Sequence, residues 1–133
     1  VAYITGPSGA GKSRMAWDWM CAAGLEDDVY WKKDSTVWWD GYDGQQGIII
    51  DDFRDDWWEL TYLLSLLDWM PHQIQVKGAM RQIRAERVYI TSIVPLPNLR
   101  WTGENMEQLY RRIDTYFDMS DGETPPKNDR RLM

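Results

Sequence analysis

The stretch from Gly6 to Ser13 limits what this chain can fold into more than any other. It reads Gly-Pro-Ser-Gly-Ala-Gly-Lys-Ser, with an apolar run, Val1 to Thr5, before it and "SRMAWDWMCAA" after it. A strand, a glycine-rich turn and a helix in that order form the setting in which such a loop cradles phosphate. Glycines at 6, 9 and 11 let successive backbone N–H groups curl around an anion. A helix beginning near Lys12 adds its positive dipole end at the same place. The pattern therefore predicts a nucleotide-binding loop made of Gly6, Pro7, Ser8, Gly9, Ala10, Gly11, Lys12 and Ser13. Lys12 is expected to act on the β- and γ-phosphates of ATP, and the Ser13 hydroxyl to ligate Mg²⁺. A glycine-rich turn without a ligand explains less of the pattern.

A chain of 133 residues points to one domain with a real core. Nine tryptophans promise an aromatic interior. The single cysteine, Cys21, excludes an internal disulfide framework, suits a reducing compartment and reads as a small buried apolar residue. No apolar run approaches the ~20 residues that span a bilayer, and no signal peptide precedes the first strand, so a soluble intracellular protein without a membrane partner is expected. Because Val1 already reads as strand, the chain is expected to be a fragment of a longer polypeptide. The net charge of −6 argues against nucleic acid, but its distribution argues for it. Glu26 to Asp68 carries 12 acidic and 3 basic residues, whereas His72 to Trp101 carries 5 basic and 1 acidic. Such a local basic stripe is the footprint that polyanion binding leaves.

Further along, "DDVYWKK" reads as a second strand and "DSTVWWDGYDGQQG" as a turn-rich connection. "GIIIDDF" is a buried strand, and "DDWWELTYLLSLLDWM" is a helix with Trp57, Leu60, Leu63, Leu64 and Leu67 at helical spacing. "HQIQV" and "ERVYITS" read as strands joined by a basic segment, and "ENMEQLYRRIDTYF" as a third helix reaching Phe117. From Met119 onward the chain is polar and proline-containing, so residues 119–133 are expected to be a disordered tail and residues 1–118 the folded domain. Alternating strands and helices predict an α/β fold, a three-layer P-loop NTPase with a central, mainly parallel sheet.

A triphosphate site also needs a carboxylate beside the loop, and Asp51 stands where the Ile48–Ile50 strand ends. It is expected to complete the Mg²⁺ shell with Ser13, while Asp52 orients or deprotonates the attacking water. Taken alone, the two acids could equally cap a turn. His72 has no partners for a zinc site, and no Ser/His/Asp triad is positioned. The pairs Trp38–Trp39 and Trp57–Trp58 could stack on bases, but core packing is the more economical reading.

"GPSGAGKS", "WWDGYDGQQGIIIDDFRDDWWELTYLLSLLDWMP", "IQVKGAMRQIRAERVYITS" and "EQLYRRI", in this order, resemble the superfamily 3 helicase domain of replication initiators of circovirus-like single-stranded DNA viruses. The resemblance runs from about Val1 to Phe117 and implies an AAA+-like fold. It also implies a ring, usually a hexamer, that acts on single-stranded DNA with ATP and Mg²⁺ in the host nucleus, behind an N-terminal endonuclease domain. By the same resemblance, Lys77 and Gly78 fall in a segment that projects a basic hairpin into the ring channel. The residues agree: Lys77, Arg81, Arg84 and Arg87 form a basic run suited to tracking phosphates, with an ordinary solvated face as the alternative. Arg111 and Arg112 lie in a shared helix, and either could act on a neighbouring subunit's nucleotide; Arg100 is a third candidate.

One departure stands out. The family ends its third motif with Asn in the pattern Ile-Thr-Ser-Asn, whereas this chain reads Ile90-Thr91-Ser92-Ile93. An isoleucine cannot hydrogen-bond a γ-phosphate or a water, and Asn98 lies too far on to replace the missing amide. Three readings follow: a helicase motor, a nucleotide-binding clamp or assembly module with impaired hydrolysis, and a small-molecule P-loop kinase, for which no acceptor motif is recognisable.

Overall fold

The computed structural model describes residues 1–68, 72–76, 79–83 and 85–120, with the side chains of 72, 73, 75, 79, 81 and 82 excepted. Strand β1 (Ala2–Thr5) leads through the glycine-rich turn into helix α1 (Lys12–Ala22), followed by β2 (Val29–Lys32) and β3 (Gly47–Ile50). Helix α2 (Leu60–Leu67), strands β4 (His72–Val76), β5 (Ala79–Ile83) and β6 (Arg87–Ser92), a short 3₁₀ turn (Leu96–Asn98), helix α3 (Glu104–Arg112) and strand β7 (Thr115–Asp118) complete the described chain.

Five of these strands form one sheet in the order β2-β3-β6-β1-β7, and every pairing in it is parallel. Parallel strands are covered on both faces and so read as near-continuous apolar runs, which "AYIT", "GIII" and "RVYITS" do. Their side chains alternate between two cores. Tyr3, Ile48, Ile50, Val88 and Ile90 join one core, with Leu63, Leu64 and Leu67 of α2 and Met106 and Leu109 of α3. Ala2, Ile4, Ile49, Tyr89 and Phe117 join the other, with Ala16 and Met20 of α1. Helices on each face of a central sheet make three layers, as the sequence leads one to expect. Burying one Ile of β3 contributes roughly 1.5–3 kcal/mol, and the β-branched side chains suit the extended backbone.

The aromatic interior is real. Trp39 is fully buried and stacks with Tyr30 and Trp58, while its indole N–H donates to the Tyr62 hydroxyl. Trp57 packs against the same core, and Trp38 is exposed. Cys21 is only partly buried, a departure from the reading of it as a core residue.

Two elements differ from the sequence reading. The third helix stops at Arg112, and Thr115–Asp118 forms β7, the edge strand beside β1. Met106, Leu109, Ile113 and Phe117 fit a helical stripe, but Ile113 and Phe117 also suit a strand and its approach. The charges mark the true end: Glu104 and Glu107 occupy the first turn and Arg111 and Arg112 the last, complementing the helix dipole. The Asp114 N–H then donates to the Val1 carbonyl, opening the ladder to β1. Second, the basic connection between "HQIQV" and "ERVYITS" contains a strand of its own, because β5 pairs antiparallel with β4 in a separate two-stranded sheet. Lys77, Gly78, Arg84 and residues 121–133 lie outside the described residues. Met119, assigned by sequence to the tail, is buried, and its N–H donates to the Thr5 carbonyl.

Candidate functional site at the carboxyl edge of the sheet

In open parallel sheets, ligands bind beyond the carboxyl ends of the strands. Here a cavity of about 530 Å³ opens at that edge, lined by Ser8, Gly9, Gly11, Lys12 and Ser13 of the loop, by Asp51, Asp52 and Arg54 after β3, and by Thr91 and Ile93 from β6 onward. Arg14 completes the wall and pairs with Asp18 one turn along α1. The register brings these parts together: Thr5 pairs with Ser92 and Ile50 with Ile90, so the residues leaving β1, β3 and β6 emerge side by side.

The loop folds as its glycines dictate. Gly9 and Gly11 have φ of 82° and 93°, a region that side chains disfavour. Gly6 serves differently, since a Cβ there would come within 3.0 Å of the Met119 Cβ. Lys12 is buried, and its ammonium bends over the loop to donate to the Pro7 carbonyl at 2.9 Å. The first N–H groups of α1 have no intrahelical acceptor and begin at Lys12, which gives the loop a donor-rich end. Pro7 and Ala10 shape the turn, the Ala10 N–H donating to the Pro7 carbonyl.

Across the cavity mouth, the Ser13 hydroxyl donates to Asp51 Oδ1 at 2.6 Å. The Thr91 hydroxyl donates to the same carboxylate oxygen at 2.9 Å and accepts the Asp52 N–H at 2.8 Å. Asp52 has φ of 61°, the one non-glycine residue with positive φ among those described. Its carboxylate reaches out of the sheet to the Arg54 guanidinium at 3.2 Å. Hydroxyl and carboxylate oxygens 2.6 Å apart on one wall are the hard donor set that Mg²⁺ prefers, so these residues fit such an ion. No group of three His, Cys, Asp or Glu side chains able to hold a metal occurs among the described residues.

The expected residues sort into three sets. Ser8, Gly9, Gly11, Lys12 and Ser13 of the loop share the cavity with Asp51, Asp52 and Ile93, whereas Gly6, Pro7, Ala10 and Asn98 do not line it. Arg100 and Arg112 do not line it either and are engaged elsewhere. Arg100 donates to the Asp55 and Trp58 carbonyls and covers Trp101. Arg112 donates to the Gln108 carbonyl and lies 3.8 Å from Asp68, whereas Arg111 is exposed. Of the basic run, Arg81 sits in β5 and Arg87 is exposed at the start of β6. Sequence reasoning passed over Thr91 and Arg54. Thr91 was within reach of it, because pairing "GIII" with "RVYITS" sets this hydroxyl beside Asp51.

A glycine-rich loop after β1 and an acid after β3, at the carboxyl edge of an all-parallel sheet, define a P-loop NTPase-like α/β domain. A family model described as RNA helicase matches residues 2–94, and the chain belongs to that family. It is 35% identical over 116 residues to the replication-associated protein of human associated cyclovirus 1, a match covering 86% of this chain and 41% of that protein. The replication-associated protein of pigeon circovirus is 37% identical over 119 residues, 88% of this chain and 35% of the relative. That of porcine circovirus 2 is 36% identical over 117 residues, again 35% of its length. The chain thus spans well under half the length of these relatives. Among the described residues, no helix is long and apolar enough to cross a membrane.

Proposed function

We propose that residues 1–118 are the motor domain of an ATP-dependent DNA helicase within a viral rolling-circle replication initiator. The observation that carries this reading is the 2.6 Å contact between Ser13 and Asp51, which joins the loop to the acid after β3 across one cavity. In this role Gly6 to Ser13 wrap the phosphates, and Lys12 exchanges the Pro7 carbonyl for phosphate oxygen. Ser13 and Asp51 hold Mg²⁺, and Asp52 orients the attacking water. Bound Mg²⁺ supplies charge neutralisation at the β- and γ-phosphates.

The resemblance to the superfamily 3 helicase domain of replication initiators is the ground on which we extend the proposal to single-stranded DNA as substrate, a homo-hexameric ring, an N-terminal endonuclease domain in the full-length polypeptide and action in the host nucleus. Lys77, Gly78, Arg81 and Arg84 are then the proposed DNA contacts, together with the basic residue Arg87. Because Arg100 and Arg112 are held within the chain, exposed Arg111 is the better placed of the three to reach a neighbouring subunit's nucleotide.

A second reading rests on Ile93. Its side chain is 44% exposed and lines the cavity where the family carries Asn. Losing a positioned polar group of that kind lowers turnover on the order of 10²- to 10³-fold, which would leave a nucleotide-binding DNA clamp. The test is ATP hydrolysis with Mg²⁺, with and without single-stranded DNA, and with nucleotide binding measured on the same sample. DNA-stimulated turnover supports the motor; binding without turnover in assembled protein supports the clamp, and Ile93→Asn should then restore hydrolysis. Phosphoryl transfer to small acceptors, indifferent to DNA, would instead favour a kinase.

A further inference from the structure

Arg54 follows Asp52 by two residues and shares the cavity with the loop and with Ile93. Its guanidinium lies 3.2 Å from Asp52 Oδ1, with side-chain exposures of 37% for Arg54 and 61% for Asp52. The backbone beneath this pair is pinned. The Asp52 N–H donates to the Thr91 hydroxyl, the Phe53 N–H to the Thr91 carbonyl, and the Ser92 hydroxyl to the Phe53 carbonyl at 2.6 Å. The Arg54 carbonyl in turn accepts the Trp57 N–H. Asp52 keeps its positive φ because this net holds it. A fixed backbone thus presents two side chains of opposite charge into one cavity, joined by a solvent-accessible ion pair of the weak kind.

The same cavity wall has an alkyl side chain, Ile93, and nothing in that side chain can donate a hydrogen bond. The guanidinium is the planar fork that matches phosphate oxygens, and a phosphate carries more charge than the single carboxylate it now faces.

We propose that Arg54 is the chain's own γ-phosphate ligand, parked on Asp52 until a nucleoside triphosphate enters. The exchange does two things at once. It places a donor on the terminal phosphate in a cavity that lacks the amide at position 93, and it releases the Asp52 carboxylate for the attacking water. A diphosphate has no γ-phosphate for the exchange, so Arg54 stays on Asp52. The inference rests on the nucleotide reading of the cavity.

Equilibrium titration with fluorescent ADP and a fluorescent non-hydrolysable ATP analogue, both with Mg²⁺, tests it in the chain and in Arg54→Met, Arg54→Lys, Asp52→Asn and the Arg54→Met/Asp52→Asn double variant. Arg54→Met should weaken the ATP analogue about tenfold, the loss of one charge-assisted hydrogen bond, and leave ADP affinity unchanged, which also certifies the fold. Arg54→Lys should retain part of the preference. Asp52→Asn should raise preference for the ATP analogue more when Arg54 is present than when it is Met, a coupling that a purely structural role would not produce. Equal effects of Arg54→Met on both nucleotides, no effect on either, or an Asp52→Asn gain that is the same with and without Arg54 would overturn the exchange while leaving the nucleotide site standing. Failure of the unsubstituted chain to bind either nucleotide would overturn the nucleotide reading and the exchange with it.

Discussion

The carboxyl edge of the parallel sheet and the β4–β5 hairpin are built on opposite principles. At the edge, Ser13, Asp51, Asp52 and Thr91 are joined by hydrogen bonds between residues 38 to 40 positions apart in sequence. Their geometry follows from strand register, so one altered strand would disturb all of them. The hairpin pairs neighbours in sequence, from Val76 with Ala79 out to His72 with Ile83. It is held to the molecule by the buried side chains of Ile74, Val76 and Ile83, while Met80 is exposed. A site for chemistry needs fixed distances, whereas a surface that tracks a polyanion needs charge more than exact placement. Substitutions at the edge should therefore be severe and specific, and those on the hairpin graded and salt-dependent.

The largest effect is expected from Lys12→Ala. Removing the ammonium should lower ATP turnover on the order of 10²- to 10³-fold, by analogy with other transition-state donors, and weaken ATP binding. The melting temperature should stay close to that of the unsubstituted protein, since Lys12 holds only a loop carbonyl. Steady-state kinetics and thermal unfolding check this together, and equal loss of stability would erase the distinction between site and scaffold.

Thr91→Val comes next. Thr91 is fully buried, and the valine would leave the Asp52 N–H without its acceptor and Asp51 Oδ1 with Ser13 but not Thr91 as a donor. A loss of about 1–3 kcal/mol in denaturant unfolding is expected, together with slower turnover. An unchanged stability would show that the network at the edge is less tightly held than its distances imply.

If the proposed DNA contact holds, Lys77→Glu should weaken single-strand affinity and flatten its dependence on salt. For single strands the slope changes by about 0.7 for each phosphate that the protein no longer neutralises. ATP hydrolysis without DNA should not change. A titration at several salt concentrations decides the point, and an unchanged slope would remove Lys77 from the DNA path.

The smallest effect belongs to the end of β2 and the loop that follows it. There the buried Lys32 ammonium donates to Asp34 at 2.9 Å, to Thr36 and to the Trp38 carbonyl, and lies over the Trp39 ring. Hydrogen bonds from Lys32 and Thr36 hold the Asp34 carboxyl below the usual carboxylate range. A depressed folded-state pKa stabilises the fold at pH above the unfolded value and ceases to do so as pH falls through the folded one. Asp34→Asn should therefore lower the melting temperature at pH 7 by less than Thr91→Val does, because the carboxylate is largely exposed. The difference should vanish in acid.

How far these features could be read from sequence follows the same division. The loop, β3 and the two acids were legible because motif, apolar run and helix stand next to one another in the chain. The three layers were legible from the alternation of β-branched strands with helical stripes. Thr91 and Arg54 were harder, since a hydroxyl in a strand acquires meaning only when register sets it against Asp51. The segment 113–118 misled because Ile113 and Phe117 suit both a helical and an extended period, and what decides between them is the open edge of β1. The β5 strand was hidden by its charge: a basic segment reads as a connection, whereas pairing with β4 makes it half of a hairpin.

Ser13 and Asp51 together are proposed to hold the metal of a nucleotide site. The most direct measurement is the Mg²⁺ dependence of ATP-analogue affinity in the chain and in Asp51→Asn. Mg²⁺ should tighten binding strongly in the unsubstituted chain and have little effect in the variant, with metal-free affinity similar in the two. Affinity indifferent to Mg²⁺ in the unsubstituted chain, or a Mg²⁺ effect that survives Asp51→Asn in full, would contradict that claim.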